Sequence, residues 1–112
     1  MIKRGNICWI DLDPIKGSEI GKIRPAIIIS NDINNKFSDT ITILPITSTT
    51  NKIYPFEVFI PKNTTNLKED SKIKTNQIRT VDKSRLKKTT GSISKDLLIK
   101  TEAALKIHLN IT

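Results

Sequence analysis

Arg24 opens the run Arg24-Pro25-Ala26-Ile27-Ile28-Ile29-Ser30 and is the side chain here best suited to grip a phosphate. A guanidinium donates paired hydrogen bonds to phosphate oxygens, whereas an ammonium acts as a point charge. Only Arg4, Arg24, Arg79 and Arg85 are arginines among the 19 basic residues, so each is more informative than any one lysine. Several familiar chemistries lack their parts. His108 is the single histidine, so acid–base work by a histidine pair is out of reach. One cysteine and one histidine cannot furnish a tetrahedral zinc site. Asp11 and Asp13 have no third carboxylate beside them to hold magnesium, and Asp13-Pro14 reads as a turn opener. Gly17-Ser18-Glu19-Ile20-Gly21 lacks the lysine and the spacing of a phosphate-cradling loop. No cofactor is implied. What remains is a site made from arginine, hydroxyls and at most one carboxylate.

The elements that must carry these groups follow from periodicity and punctuation. Ile7–Leu12 reads as a first strand, followed by an irregular, mobile loop over 13–23 with two glycines and a proline. Pro25–Ile29 is continuously apolar and β-branched, as expected of a strand buried on both faces. Arg24 precedes a proline and is pushed toward extended backbone, at the mouth of that strand and beside the loop. The plain alternative is a surface arginine at a strand end. Ser30-Asn31-Asp32 supplies capping groups for a helical turn through Asn35. Thr40–Ile46 alternates as a strand and delivers Thr47 to the hydroxyl-rich turn Thr47-Ser48-Thr49-Thr50-Asn51, where a threonine ordinarily forms the turn. Phe56–Ile60 forms a strand between Pro55 and Pro61. Ile73–Val81 alternates as one further strand, placing Gln77 and Arg79 on the same side. Asp82–Leu86 is a turn of helix, and a short strand surrounds Gly91. Ser94 caps a final helix from Lys95 to about Leu109, with Leu97, Leu98, Ala104, Leu105 and Leu109 along its apolar stripe. Short strands plus one terminal helix predict a mainly β, α+β fold: a small, strongly curved sheet or open barrel.

The 112 residues predict one domain over 1–112, and the net charge of +8 favours a polyanionic partner through steering. Part of the basic stretch Lys68–Lys88 is expected to offer a track for phosphates, with a solvated face as its ordinary meaning. Aromatic platforms are scarce, so Trp9 and Phe37 are expected to contribute little to binding. Cys8, inside Ile7-Cys8-Trp9-Ile10, is expected to be buried and inert, compatible with a reducing cytoplasm. No stretch approaches the ~20 apolar residues needed to cross a bilayer, so no membrane partner is expected.

One ordered set of motifs carries more than any of its parts. Arg4-Gly5-Asn6-Ile7, Asp11-Leu12-Asp13-Pro14, Gly17-Ser18-Glu19, Arg24-Pro25-Ala26, Ile29-Ser30-Asn31-Asp32, Pro45-Ile46-Thr47-Ser48 and Gln77-Ile78-Arg79-Thr80-Val81-Asp82-Lys83-Ser84-Arg85-Leu86 occur in that sequence. From residue 4 to the terminal helix the chain resembles the MazF/PemK family of toxin–antitoxin ribonucleases. The resemblance implies an SH3-like barrel, similar in fold to the gyrase-poisoning toxin CcdB, that assembles as a homodimer. It implies metal-independent, sequence-specific cleavage of single-stranded RNA, inhibition of translation and neutralisation by a cognate antitoxin. It maps the catalytic arginine onto Arg24, the catalytic threonine onto Thr47, and RNA contacts onto Gly17, Ser18, Glu19, Gln77 and Arg79. Glu19 then either assists proton removal and the orientation of Arg24, or positions bases. Residues 51–70 match no family pattern and receive no role. Two rival readings remain: a non-enzymatic gyrase-directed toxin on the same fold, and a non-catalytic nucleic-acid-binding barrel.

Overall fold

Isoleucine and leucine on both faces of the strands sort into two separate cores. The computed structural model describes residues 1–112. Strands β1 (Asn6–Asp11), β2 (Ile23–Ile28), β3 (Thr40–Thr47), β4 (Glu57–Ile60), β5 (Ser71–Lys74), β6 (Arg79–Asp82) and β7 (Leu86–Ser92) join two helices, α1 (Asp32–Phe37) and α2 (Lys95–Leu109). The sheet is antiparallel, in the order β4-β5-β3-β2-β1-β7, and β6 also pairs with β3. β3 is therefore shared: its first half takes β6 (Ile41↔Val81) and its last residues take β5 (Ile46↔Ile73). One strand pairing with three neighbours bends the sheet around itself, giving the small curved β fold expected.

The period of two along β1 and β2 decides the packing. Ile7 and Ile27 enter one core with Leu44, Ile46, Ile60 and Ile73; Cys8, Ile10, Ala26 and Ile28 enter the other with Ile41 and Ile43. Pro25–Ile29 is thus buried on both faces, as its continuous apolar run predicts. Each such isoleucine contributes about 1.5–3 kcal/mol relative to exposure. Cys8 is fully buried. Desolvation raises its thiol above the ordinary cysteine value, against a hydrogen bond with Thr89.

Local capping fixes the helices. Asn31 accepts from the Asn34 amide at the start of α1, and Ser94 accepts from the Leu97 amide at the start of α2. α2 ends at Asn110, whose φ of 56° is the left-handed cap. It seats Leu97, Leu98, Ala104 and Leu105 on the first core. Arg4 ties α2 back to the strands, pairing with Glu102 at 2.8 Å and donating from Nε to the Ile29 carbonyl.

Three local expectations need correction. Leu109 does not join the stripe; it is 44% exposed and does not pack on the first core as Leu97, Leu98 and Leu105 do. Ile73–Val81 is not one strand. Thr75–Gln77 forms a 3-10 turn between β5 and β6, anchored where Thr75 Oγ1 donates to the Phe56 carbonyl. The alternation that read as a single strand is interrupted by that turn, yet Gln77 and Arg79 still reach the same side, both bonding to main chain between β1 and β2. Third, β7 runs from Leu86 to Ser92 and pairs along β1, longer than the short strand expected around Gly91.

Candidate active site

Antiparallel register brings the two leading candidates together. β2 and β3 pair Ala26 with Pro45 and Ile27 with Leu44. Continued by two residues in the same register, Arg24 faces Thr47. Both are half-buried, and both line a groove of about 650 Å³. Thr47 ends β3, and its Oγ1 accepts from the Thr49 amide at 3.3 Å. The hydroxyl hydrogen is left to donate into the groove.

The four arginines have divided their work. Arg4 holds α2 and the Ile29 carbonyl. Arg79 Nη1 donates to the Leu12 carbonyl at 2.7 Å. Arg85 Nη1 donates to the carbonyls of Asp11, at 3.2 Å, and Asp13. Only Arg24 lines the groove, with Nε committed to the Gly21 carbonyl at 3.0 Å. That single bond fixes the plane of the guanidinium while leaving its two terminal nitrogens for an anion.

The loop between β1 and β2 is closed by its own polar groups. Leu12 N donates to Lys22 O at 2.9 Å, and Lys22 N to Asp13 Oδ1 at 2.9 Å. The Ile20 amide donates to Gln77 Oε1 at 3.4 Å. Lys22 takes a left-handed φ of 67°, unusual for a residue with a side chain. Glu19 is exposed; its Oε1 accepts from the Lys16 amide at 2.5 Å, closing the turn that presents Gly17 and Ser18. Its carboxylate is thus engaged with the turn, and the group that orients Arg24 is the Gly21 carbonyl. Asp11 Oδ1 likewise accepts from the Asp13 amide, and no three His, Cys, Asp or Glu side chains gather as metal ligands.

The groove also contains residues that sequence reasoning set aside. Its floor includes Trp9, which pairs with Pro25 on one side and Lys88 on the other. Its far wall is Asn66, Leu67, Lys68 and Glu69, from the segment that matched no motif. Nothing in that segment's spacing signals the wall; it is brought there by the β4–β5 hairpin. Trp9 did carry a signal, since it sits one strand away from Arg24-Pro25 in any β1–β2 hairpin. Lys22, Arg24, Lys68 and Lys88 against Glu69 make the groove basic. Only part of the Lys68–Lys88 stretch, namely Lys68 and Lys88, lines the groove. Lys72 is buried, with Nζ on Glu57 Oε1 at 2.9 Å and on the Lys52 carbonyl at 2.7 Å; Lys74 also pairs with Glu57. His108 is exposed on α2, near the Phe56 ring and outside the groove.

Comparisons with known proteins bear on this arrangement. Residues 3–109 match the family described as PemK-like, MazF-like toxin of type II toxin-antitoxin system. The chain is 40% identical over 116 residues to the endoribonuclease MazF9 of Mycobacterium tuberculosis, covering 99% of this chain and 98% of that protein. It is 43% identical over 112 residues to the endoribonuclease MazF of Staphylococcus epidermidis, covering 99% and 93%. Among solved structures, MazF of Deinococcus radiodurans superposes with a TM-score of 0.85 at 25% identity, over 97% of this chain and 96% of that one. A MazE–MazF structure from the same organism gives 0.79 at 25% identity, over 99% and 97%. A full-length match in sequence, a matching curved sheet and Arg24 across from Thr47 agree: the chain belongs to the PemK-like, MazF-like toxin family of type II toxin–antitoxin systems.

Proposed function

We propose that this chain is a metal-independent endoribonuclease that cleaves single-stranded RNA, arrests growth through loss of messenger RNA, and is neutralised by a cognate antitoxin. The observation that carries the reading is the division of labour among the arginines: three bond main-chain carbonyls or a carboxylate away from the groove, and Arg24 alone, held through Nε by Gly21, lines a basic groove together with the Thr47 hydroxyl. The relatives named as endoribonucleases, and the MazE–MazF assembly of a structural neighbour, support the activity and the partner. The protein acts in the cytoplasm as a two-fold homodimer.

In the proposed reaction a ribose 2′-oxygen attacks the adjacent phosphorus, the bond to the 5′-oxygen breaks, and the products are a 2′,3′-cyclic phosphate and a 5′-hydroxyl. The proton leaves O2′ and one is delivered to O5′. Negative charge builds on the non-bridging oxygens between those events. Arg24, pre-aimed by Gly21, donates to those oxygens, and Thr47 donates from the opposite strand. Guanidinium is not deprotonated in proteins, so Arg24 stabilises charge and does not accept the proton. Glu19 serves as the loop carboxylate that shapes the Gly17–Glu19 turn against RNA, and Lys68 and Lys88 guide the backbone. Bases splayed from the strand are read by hydrogen bonds along the groove.

The deciding experiment is incubation of purified protein with a long single-stranded RNA in EDTA. Discrete fragments with 5′-hydroxyl ends are the expected result. Intact RNA at high protein concentration returns the chain to a binding or gyrase-directed role. A second expectation concerns Gly21, where an added Cβ would stand 2.5 Å from Asp13 Oδ1 and 2.8 Å from Ile15 Cγ2. Either the carboxylate or the Gly21 backbone must shift, and the Arg24 anchor shifts with it. Gly21→Ala is expected to lower kcat about 10–100-fold with little change in KM, since a 1 Å misplacement is enough for such a loss. Steady-state kinetics on a short RNA check it.

A further inference from the structure

The resemblance to the family assigns Arg79 to RNA, and the structure points elsewhere. We infer that Arg79 and Arg85 are positioning residues that hold the β1–β2 loop so that Gly21 aims Arg24, and that neither guanidinium touches RNA. The inference rests on the reading of Arg24 as the charge-stabilising residue of the cleavage site.

Both guanidiniums reach the same short segment. Arg79 Nη1 donates to the Leu12 carbonyl at 2.7 Å, and Arg85 Nη1 donates to the carbonyls of Asp11 and Asp13 on either side. Three consecutive carbonyls at the outgoing root of the loop are therefore held by two cations from β6 and the turn after it. The β1–β2 register ends at Asp11, so the Leu12 and Asp13 carbonyls lie beyond the regular ladder. Charge-assisted bonds to them are stronger than the neutral bonds they replace. Neither arginine lines the groove, and Arg79 is partly buried.

The restraint then crosses to the returning root. Leu12 N donates to Lys22 O, and Asp13 Oδ1 accepts from Lys22 N, so both main-chain groups of Lys22 are fixed by the clamped segment. Asp13 Oδ1 also packs against Gly21, at a distance that leaves no room for a methyl group. Gly21 O in turn receives Arg24 Nε at 3.0 Å. Every step from Arg79 or Arg85 to Arg24 is a hydrogen bond or a van der Waals contact. Lys22, at φ 67°, sits in a conformation that persists only where surrounding contacts over-determine it. The clamp supplies those contacts. Gln77 adds a weaker third tie, through the Ile20 amide.

A phosphate contact and a clamp make opposite predictions for the same variants. Arg79→Ala and, independently, Arg85→Ala are expected to lower kcat about 10–100-fold while leaving KM and the salt slope of RNA binding unchanged. In RNA-free protein each should shift the Arg24 Nε–H resonance and speed its solvent exchange, because the bond to Gly21 loosens. Combined with Arg24→Ala, each should cost no further rate, since both act through Arg24. A salt slope lower by about one unit with raised KM makes Arg79 an RNA contact and overturns the inference. An unmoved Arg24 resonance in both variants overturns it equally. Should Arg24→Ala itself cleave at full rate, the catalytic reading of Arg24 fails, while the resonance still reports whether the clamp exists. Using two arginines from different elements keeps the test open if one variant folds poorly.

Discussion

Arg24→Ala is expected to lower kcat by about 10²–10³-fold, equivalent to about 2.7–4 kcal/mol of transition-state stabilisation. The reason is geometric as well as electrostatic. Nε is committed to the Gly21 carbonyl, so the guanidinium plane is set before RNA arrives and its terminal nitrogens need no reorganisation during the reaction. The comparison that separates this from simple charge attraction is Arg24→Lys. Lysine keeps the positive charge and the steering of RNA into a groove already lined by Lys22, Lys68 and Lys88, but it has no Nε branch to anchor and cannot donate in a fixed fork. Arg24→Lys should therefore bind RNA with near-native KM and still cleave at less than about a tenth of the native rate. Single-turnover cleavage at saturating protein, which isolates the chemical step, is the measurement. Full rate in the lysine variant would mean that any cation at this position suffices and that the Gly21 anchor is incidental.

How far this site could be read in the sequence depends on which kind of signal each residue carries. Arg24 and Thr47 sit where strands meet loops, and order along the chain together with the family motifs singled them out. Their placement across from each other follows from the β2–β3 register, which sequence does not state because the connection through α1 leaves several registers open. Arg79 shows the limit from the other side. A Gln-Ile-Arg segment in an alternating run suggests two side chains on one open face. In the structure a 3-10 turn over Thr75–Gln77 breaks that run, and both side chains turn to the main chain of the β1–β2 loop. Free and engaged guanidiniums look alike in a sequence, because what distinguishes them is an unpaired carbonyl at a strand end more than 60 residues away. Asn66–Glu69 was illegible for a similar reason: its place on the groove wall depends on the β4–β5 hairpin, not on any local pattern.

The fold was more open to reading wherever a local rule and burial agree. The bounds of α2 match the Ser94 cap and the Leu109 end of its apolar pattern, since capping, propensity and the left-handed Asn110 all act within a few residues. β2 announced its double burial through an unbroken apolar run. Expectations failed where an element's end is set by distant packing. Leu109 continues the helical spacing but stays exposed, outside the residues packed on the core. Lys72 and Lys74 read as part of a solvated basic run, yet β5 turns Lys72 inward because Glu57 on β4 offers a buried counter-charge.

That buried cluster carries the second large expectation. Glu57 has no exposed side-chain surface; Oε1 accepts from Lys72 Nζ at 2.9 Å and from the Tyr54 amide at 2.9 Å, and Lys74 Nζ stands 3.3 Å from Oε2. Glu57→Gln is expected to destabilise the fold by about 3–5 kcal/mol, because it leaves Lys72 buried without its counter-charge. Lys72→Met alone should be costly for the converse reason. The double variant Glu57→Gln/Lys72→Met should lose much less than the sum, since it removes both charges together and leaves neither one buried without its partner. The pH dependence has a definite sign. Burial pushes the Glu57 carboxyl up, but bonds from the Tyr54 amide, Lys72 and Lys74 more than offset it and hold it below the ordinary glutamate value. A carboxyl whose folded pKa is depressed binds its proton more readily in the unfolded chain. Its stabilisation is therefore complete above the unfolded value of about 4.3 and is lost as pH falls through the folded one. The gap between native protein and Glu57→Gln should accordingly be widest above about pH 5 and close on acidification below about pH 4. Urea unfolding across that range measures it, and a gap that stays constant to the acid end would mean that Glu57 holds β4 and β5 by shape and not by charge. Because Lys72 pairs with Thr47 across β3 and β5 and also holds the Lys52 carbonyl, the same variant should loosen the turn that orients the Thr47 hydroxyl.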